Sequence, residues 1–294
     1  MTETPAPGPL LQPAQELHEF APAKVNLWLE ITGRRDDGYH LLDSLVVFAE
    51  VGDWLEIRPA EAFSLDLAGP FAAALQQQEE DNLVTRAVDA FCAATGQTPA
   101  FHLKLTKNLP LAAGLGGGSA DAAATLRLLE RIQGKHLPPD RRQALALDLG
   151  ADVPVCLEGR SIHMQGIGEQ LLPVPFLPPL HLLLVNPGVP VSTGAIFRRL
   201  AQPWSQGQDM PRIDTDPEFL FDVLRKRRND LEGPACALAP EIAQALAALK
   251  ETRDCALARM SGSGASCFAL YRSTPARDRA AARLRQDHPD WWIA

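Results

Sequence analysis

The sequence has no excess of basic residues. Lys and Arg number 28 against 36 Asp and Glu, a formal charge of −8, with a pI near 5.4. A nucleic-acid partner calls for a basic face, so none is expected. A single locally positive phosphate site stays open on an acidic protein. The five cysteines, Cys92, Cys156, Cys236, Cys255 and Cys267, are scattered, odd in number and without a CxxC pair. That speaks against a disulfide framework or a zinc site and for a reducing cytoplasm. The histidines show no ligand spacing, so no protein-built metal site is expected. No apolar run approaches the roughly 18 residues of a membrane span. The N-terminus lacks the basic and apolar regions of a secretory signal. What remains is an ordinary globular balance, 46% hydrophobic and 22% charged, over 294 residues. That length holds one large domain or two modest ones.

Residues 1–18 are rich in Pro, Ala and Gln and read as a disordered extension. Order is expected from Phe20. Ala23, Val25, Leu27, Leu29 and Ile31 alternate with Lys24, Asn26, Trp28, Glu30 and Thr32, the period of a half-buried strand. A turn around Gly38 follows, then two strands over 41–49 and 53–58. Asn82 to Thr95 reads as a helix with Asp81 as its N-cap and Gly96 past its end. Phe101, Leu103 and Leu105 mark a strand. Helices are expected over 120–132, 140–149, 216–227, 240–250 and 275–285, with strands over 180–185 and 267–271. The stretch 201–217 reads as a surface excursion, and a domain boundary is placed between Leu157 and Leu180, near residue 170. The domains expected are therefore 19–170 and 171–294.

The most informative segment runs from Lys107 through Pro110, Leu111, Ala112, Ala113, Gly114, Leu115, Gly116, Gly117, Gly118, Ser119 and Ala120. It follows a strand and opens a helix. Four glycines let backbone N–H groups come close to a ligand. The next helix adds unpaired N–H groups and the positive end of its dipole, which together make an anion site. Ser119 stands where an N-cap, or a phosphate and Mg²⁺ contact, would sit. The loop is not a Walker A loop, since no Gly-Lys-Ser/Thr closes it. It is not a dinucleotide fingerprint either, because Ser119 replaces the third glycine. The plain alternative is a tight turn that binds nothing.

PLAAGLGGGSADAAATL (110–126) resembles the phosphate loop of the GHMP kinases, the superfamily of galactokinase, homoserine kinase and mevalonate kinase. PAKVNLWLEITGRRDDGYHLLDSL (22–45), GADVPVCL (150–157) and RMSGSGASCFALY (259–271) narrow the resemblance to members that phosphorylate a cytidine-diphosphate-linked alcohol. It extends over residues 20 to 294. It implies an α+β protein of two domains, the N-terminal one ribosomal-protein S5 domain 2-like and the C-terminal one ferredoxin-like. It further implies a kinase using ATP, with Mg²⁺ delivered by the nucleotide, and a small-molecule substrate carrying a cytidine diphosphate moiety.

By the same resemblance Lys24 and Asp152 are the catalytic pair. A carboxylate can take the proton of an alcohol, and a neighbouring ammonium keeps it ionised. Read alone, Lys24 is equally a solvated lysine and Asp152 an N-cap ahead of Pro154. Tyr39, His40 and Phe197 correspond to the holders of a cytosine ring, and Asn26 to a contact with the substrate chain. Tyr39 and His40 also read as structural residues at a strand start. Asn82 and Lys107 resemble positions near the nucleotide, although a helix start and a strand end explain them as well. Gly262 and Gly264 would close over the loop and substrate, or form a β-turn. RNDLE (228–232) matches the family without a chemical role. Three rivals remain: a GHMP kinase of another small alcohol, which would not need the aromatic residues; an ATP-binding sensor, which would not need Lys24 and Asp152; and an interaction protein, to which the N-terminal tail is the one pointer.

Overall fold

The computed structural model describes residues 16–77, 82–134, 136–207, 210 and 216–294. Most of the expected extension, and the expected cap Asp81, lie outside them. In chain order the elements are β1 (Leu17–Arg34), β2 (His40–Pro59), β3 (Ser64–Ala68), α1 (Ala72–Gln76), α2 (Leu83–Thr95), β4 (Phe101–Thr106), α3 (Gly117–Gln133), α4 (Pro139–Leu149), α5 (Val153–Glu158) and β5 (Ile162–Gly166). There follow β6 (Gln170–Pro173), β7 (His181–Asn186), α6 (Thr193–Phe197), α7 (Pro217–Lys226), α8 (Glu232–Leu238), α9 (Pro240–Lys250), β8 (Cys255–Met260), β9 (Cys267–Tyr271), α10 (Thr274–Asp287) and β10 (Trp292–Ile293).

The chain forms two compact units, each built from separate stretches. The first takes residues up to Ala23, Gly52–Leu111 and Gly117–Glu158; the second takes Lys24–Val51, Ala112–Gly116 and Gly159–Ala294. In the first, Trp54–Pro59 of β2 pair antiparallel with β4, and β3 runs parallel to β4. Val84, Ala87, Val88 and Phe91 of α2 are buried, and α2 packs on α3, which also packs on α5. The buried alanines at 120, 122, 123 and 124 of α3 carry short side chains, so these helices can approach closely.

In the second unit, Leu42–Val46 of β2 pair with β5, and β5 pairs with β6. The four strands β10, β7, β9 and β8 form an antiparallel sheet in that order. Numbered within the sheet, this is last, first, third, second, with helices between first and second and between third and fourth. That is the ferredoxin-like βαββαβ arrangement expected. Its core joins Leu183, Val185, Ala269 and Tyr271 to Ile242, Leu246 and Leu249 of α9 and Leu284 of α10.

Three readings are corrected. The strands expected over 41–49 and 53–58 are one strand, β2. Gly52 does not break it; a Cβ there would lie 2.8 Å from the Pro22 Cα and from the Phe20 ring, so the glycine admits a close backbone approach. β1 is not half-buried. Lys24, Asn26, Trp28 and Glu30 are as buried as the apolar residues between them. The excursion over 201–217 includes the buried Ser205, whose N–H donates to the Ile31 carbonyl at 2.8 Å.

Candidate active site

The glycine loop lies between β4 and α3. Ala112, Gly114 and Gly116 all adopt left-handed backbone, with φ of 48°, 70° and 61°. Alternation of this kind makes the concave, anion-binding backbone known from phosphate sites. Gly114 and Gly116 are the residue type this demands; Ala112 is not, and it keeps a strained conformation inside the loop. Three successive carbonyls of the loop are taken by protein donors. Ala113 accepts from the Ser266 N–H at 3.0 Å, Gly114 from Ser261 Oγ at 3.0 Å and Leu115 from the Lys24 N–H at 2.8 Å. With its acceptors satisfied internally, the loop has its donors to offer a ligand. The helix begins at Gly117, so Ser119 stands in its first turn rather than at the cap.

Lys107 directly follows β4 and is almost wholly buried. Its Nζ donates to Asp53 Oδ2 at 2.5 Å and Asp121 Oδ2 at 2.6 Å. Asp53 Oδ1 in turn accepts the N–H groups of Asn108 and Leu109, the entry to the loop. Burial lowers the affinity of Lys107 for its proton, but the Asp121 and Asp53 charges more than offset this and hold its pKa above the usual value. Burial, aided by the Asp53 charge, pushes Asp121 up to about 7 against the pull of Lys107. Lys107→Met would strand two buried carboxylates, and breaking a buried pair costs about 3–5 kcal/mol. Urea unfolding of this variant should show a loss of that order, and a loss below about 1 kcal/mol would make the cluster incidental. Asn82 is the N-cap of α2, its Oδ1 accepting the Val84 N–H at 2.9 Å. Neither residue is placed in a way that requires a nucleotide to explain it.

Lys24 is 4% exposed. Its side chain runs past Gly116, where a Cβ would lie 3.1 Å from the Lys24 Cε. The missing side chain at 116 therefore makes room for this lysine. Asp152 precedes α5, and its carbonyl accepts the Cys156 N–H at 3.1 Å. It thus holds the N-cap position and remains the carboxylate of the GADVP segment. Asn26 is fully buried. Ser44 Oγ gives its proton to the Trp28 carbonyl at 2.6 Å, so it must accept from Asn26 Nδ2 at 2.8 Å. That fixes the amide, and it leaves the buried Asn26 Oδ1 without a partner. An orphaned buried acceptor is costly unless a ligand donates to it.

His40 lies 5.0 Å from the Phe197 ring, tilted by 39°. A further aromatic, Trp204, meets His40 edge-on at 5.7 Å. Tyr39 is 63% exposed and its N–H donates to Asp37 Oδ1 at 3.2 Å. Burial, and then the nearby Arg34 charge, lower the His40 pKa, so its ring is neutral at pH 7. Trp204 was missed because it sits in a Pro- and Gln-rich segment without strand or helix periodicity. Gly262 and Gly264, both left-handed with φ of 55° and 83°, form a turn against Gly114; a Cβ on Gly262 would lie 2.9 Å from the Gly114 oxygen. The residues form a turn, and it lies against the glycine loop.

Among the described residues no group of three or more His, Cys, Asp or Glu side chains gathers as a metal site. Asp121, the acid nearest the loop in sequence, is committed to Lys107. Among those residues no helix is long and apolar enough to cross a membrane.

A left-handed glycine loop between strand and helix, its carbonyls turned inward, beside a buried lysine, defines a phosphotransferase of the GHMP type. The family models described as GHMP kinases N terminal domain and GHMP kinases C terminal match residues 82–160 and 223–290. A 4-diphosphocytidyl-2-C-methyl-D-erythritol kinase of Paramagnetospirillum magneticum is 50% identical, over 93% of this chain and 95% of its own. One of Dinoroseobacter shibae is 50% identical over 100% and 97%. A solved structure of 4-(cytidine 5'-diphospho)-2C-methyl-D-erythritol kinase superposes with a TM-score of 0.76 at 34% identity, covering 94% of this chain and 98% of that one. The chain belongs to the 4-diphosphocytidyl-2-C-methyl-D-erythritol kinase family, within the GHMP kinases, and it is a kinase.

Proposed function

We propose that the protein transfers the γ-phosphoryl group of ATP to the 2-hydroxyl of 4-diphosphocytidyl-2-C-methyl-D-erythritol, a step of the non-mevalonate route to isoprenoid precursors in the cytoplasm. The observation that carries this reading is the loop whose three consecutive carbonyls are bonded within the protein. Residues 110–120 then present N–H groups to the triphosphate. By sequence the domain of residues 19–170 carries the phosphate loop, of which Ala112–Gly116 group with the second compact unit, and that of 171–294 carries the ferredoxin-like sheet.

Asp152 takes the hydroxyl proton as the alcohol oxygen bonds to the γ-phosphorus and the bond to the ADP oxygen breaks. Lys24 neutralises charge on the transferring group and favours ionised Asp152. Mg²⁺ bound with ATP would neutralise phosphate charge, and the Ser119 hydroxyl, in the first turn of α3, would help to hold it. A substrate hydroxyl donates to the orphaned Asn26 Oδ1. The cytosine ring lies among Tyr39, His40 and Phe197. Neutral His40 offers one donor and one acceptor, which suits the edge of a pyrimidine. Incubation with ATP, Mg²⁺ and this substrate should give a product heavier by one phosphoryl group. ATP consumption with another alcohol but not this one would overturn the assignment.

Exposed Tyr39 contributes little to folding, so Tyr39→Ala reads binding cleanly. Stacking on one base is worth about 1–3 kcal/mol, so the substrate KM should rise roughly fivefold to a hundredfold. The KM for ATP should hold. Equal rises in both constants would make Tyr39 structural.

A further inference from the structure

The RNDLE segment matches the family and has no assigned role. Two of its side chains, those of Asn229 and Glu232, converge on one place, the turn after β8. Asn229 is 6% exposed. Its Nδ2 donates to the carbonyls of Met260 and Gly262, both at 2.8 Å, and its Oδ1 accepts the Leu231 N–H at 2.9 Å. Glu232 Oε2 accepts the Met260 N–H at 2.9 Å. One amide group thus ties together the two carbonyls that flank Ser261.

Ser261 is fully buried and faces the other way. Its Oγ donates to the Gly114 carbonyl and accepts the Asn26 N–H at 3.2 Å. Ser266, whose carbonyl accepts the Ser261 N–H at 2.9 Å, donates to Ala113. At the tip, Ser263 Oγ lies 2.8 Å from Thr193 Oγ1, at the start of the helix that carries Phe197. The turn therefore joins the phosphate loop, Asn26 and α6, and Asn229 holds its shape from behind. No other side chain of this size can do so. Aspartate has no donor and would set a carboxylate oxygen against two carbonyls; alanine leaves both carbonyls unpaired.

We propose that Asn229 is a positioning residue for phosphoryl transfer, acting through the Met260–Ser266 turn to set the nucleotide loop. This rests on the reading of that loop as the ATP site. Asp230 supplies the contrast. Its carboxylate accepts from the Ile31 N–H and Ser205 Oγ, at 2.7 and 2.6 Å, on the strand side of the same segment.

The test measures dissociation constants for a non-hydrolysable ATP analogue with Mg²⁺, on the full chain, well below each variant's melting temperature. Asn229→Ala and Ser261→Ala should each weaken binding about tenfold to a hundredfold, the scale of one or two lost buried hydrogen bonds. The double variant should be little worse than the weaker single one, because both act through one turn. Asp230→Asn should lower the melting temperature yet bind within about twofold of the parent. Parental affinity in folded Asn229→Ala, or in Ser261→Ala, overturns the proposal. So does an equal loss in Asp230→Asn, which would mark a general effect of destabilising the segment. If Asn229→Ala does not fold, the Ser261→Ala result decides. A parent that binds the analogue but does not phosphorylate the cytidine substrate overturns the proposed function and leaves this inference standing. A parent that binds no nucleotide overturns the loop reading itself.

Discussion

Asp152→Asn should lower kcat by about 10²–10⁴-fold, the usual cost of losing a general base. The change is nearly isosteric, and asparagine caps a helix about as well as aspartate. The Asp152 carbonyl accepts the Cys156 N–H that opens α5, so residue 152 sits at the N-cap and the variant should unfold at the parental urea concentration. KM for ATP should change little, placing the defect in the transition state rather than in binding. Lys24→Met should show a similar defect, and the double variant should fall far short of the product of the two, as groups acting on one step do. Near-parental turnover of Asp152→Asn would reduce this residue to a cap.

Gly114→Val should weaken ATP binding by at least roughly thirtyfold. Two costs combine. Valine is strained at a φ of 70°, by about 1–3 kcal/mol. Its Cβ would also stand 2.7 Å from the Gly264 nitrogen, and overpacking costs about 1–3 kcal/mol more. The loop relieves both by moving, which at about 1.4 kcal/mol per tenfold lowers affinity by roughly thirtyfold to more than a thousandfold. Gly96 separates the terms. It has the same φ of 70° at the end of α2, with nothing within 4 Å of its would-be Cβ. Gly96→Val should lose stability and keep ATP affinity. Binding by Gly114→Val within about threefold of the parent would show that the loop tolerates displacement and is no phosphate cradle.

Much of this was legible in the sequence because local chemistry dictates it. Glycines at 114 and 116 announce left-handed backbone, and the alternation from Ala23 to Thr32 announces a strand. The illegible part depends on residues far apart in the chain. Alternation at Lys24, Asn26, Trp28 and Glu30 suggested a wet face, but a polar residue is also compatible with burial when partners come from elsewhere. Glu30 finds Arg227 at 2.8 Å and Trp28 finds Asp43 at 2.7 Å. The buried ion pairs of Lys107 were not legible either, because its carboxylate partners lie 54 and 14 positions away. The cap of α2 moved from Asp81 to Asn82 because both residue types cap equally well. Asn229 lay within the RNDLE match but carried no chemical signal: its bonds appear only once residues 260 and 262 are folded against it.

The division of the chain into interleaved stretches bears on its synthesis. A ribosome adds roughly 5–20 residues per second, and domains tend to fold as they emerge. Here neither unit can do so from a contiguous N-terminal piece. The first lacks α5 until Glu158 has been made. The second begins at Lys24 and closes only near Ala294. Its early strand β1 can pair with β2 at once, but it must wait for Asn229, the parallel bridge partner of Leu29, and for Asp230, which receives the Ile31 N–H. For some 200 residues of translation the β1–β2 pair that bears Lys24 and Asn26 therefore lacks its C-terminal partner segment, which makes it a natural binding site for a holdase chaperone.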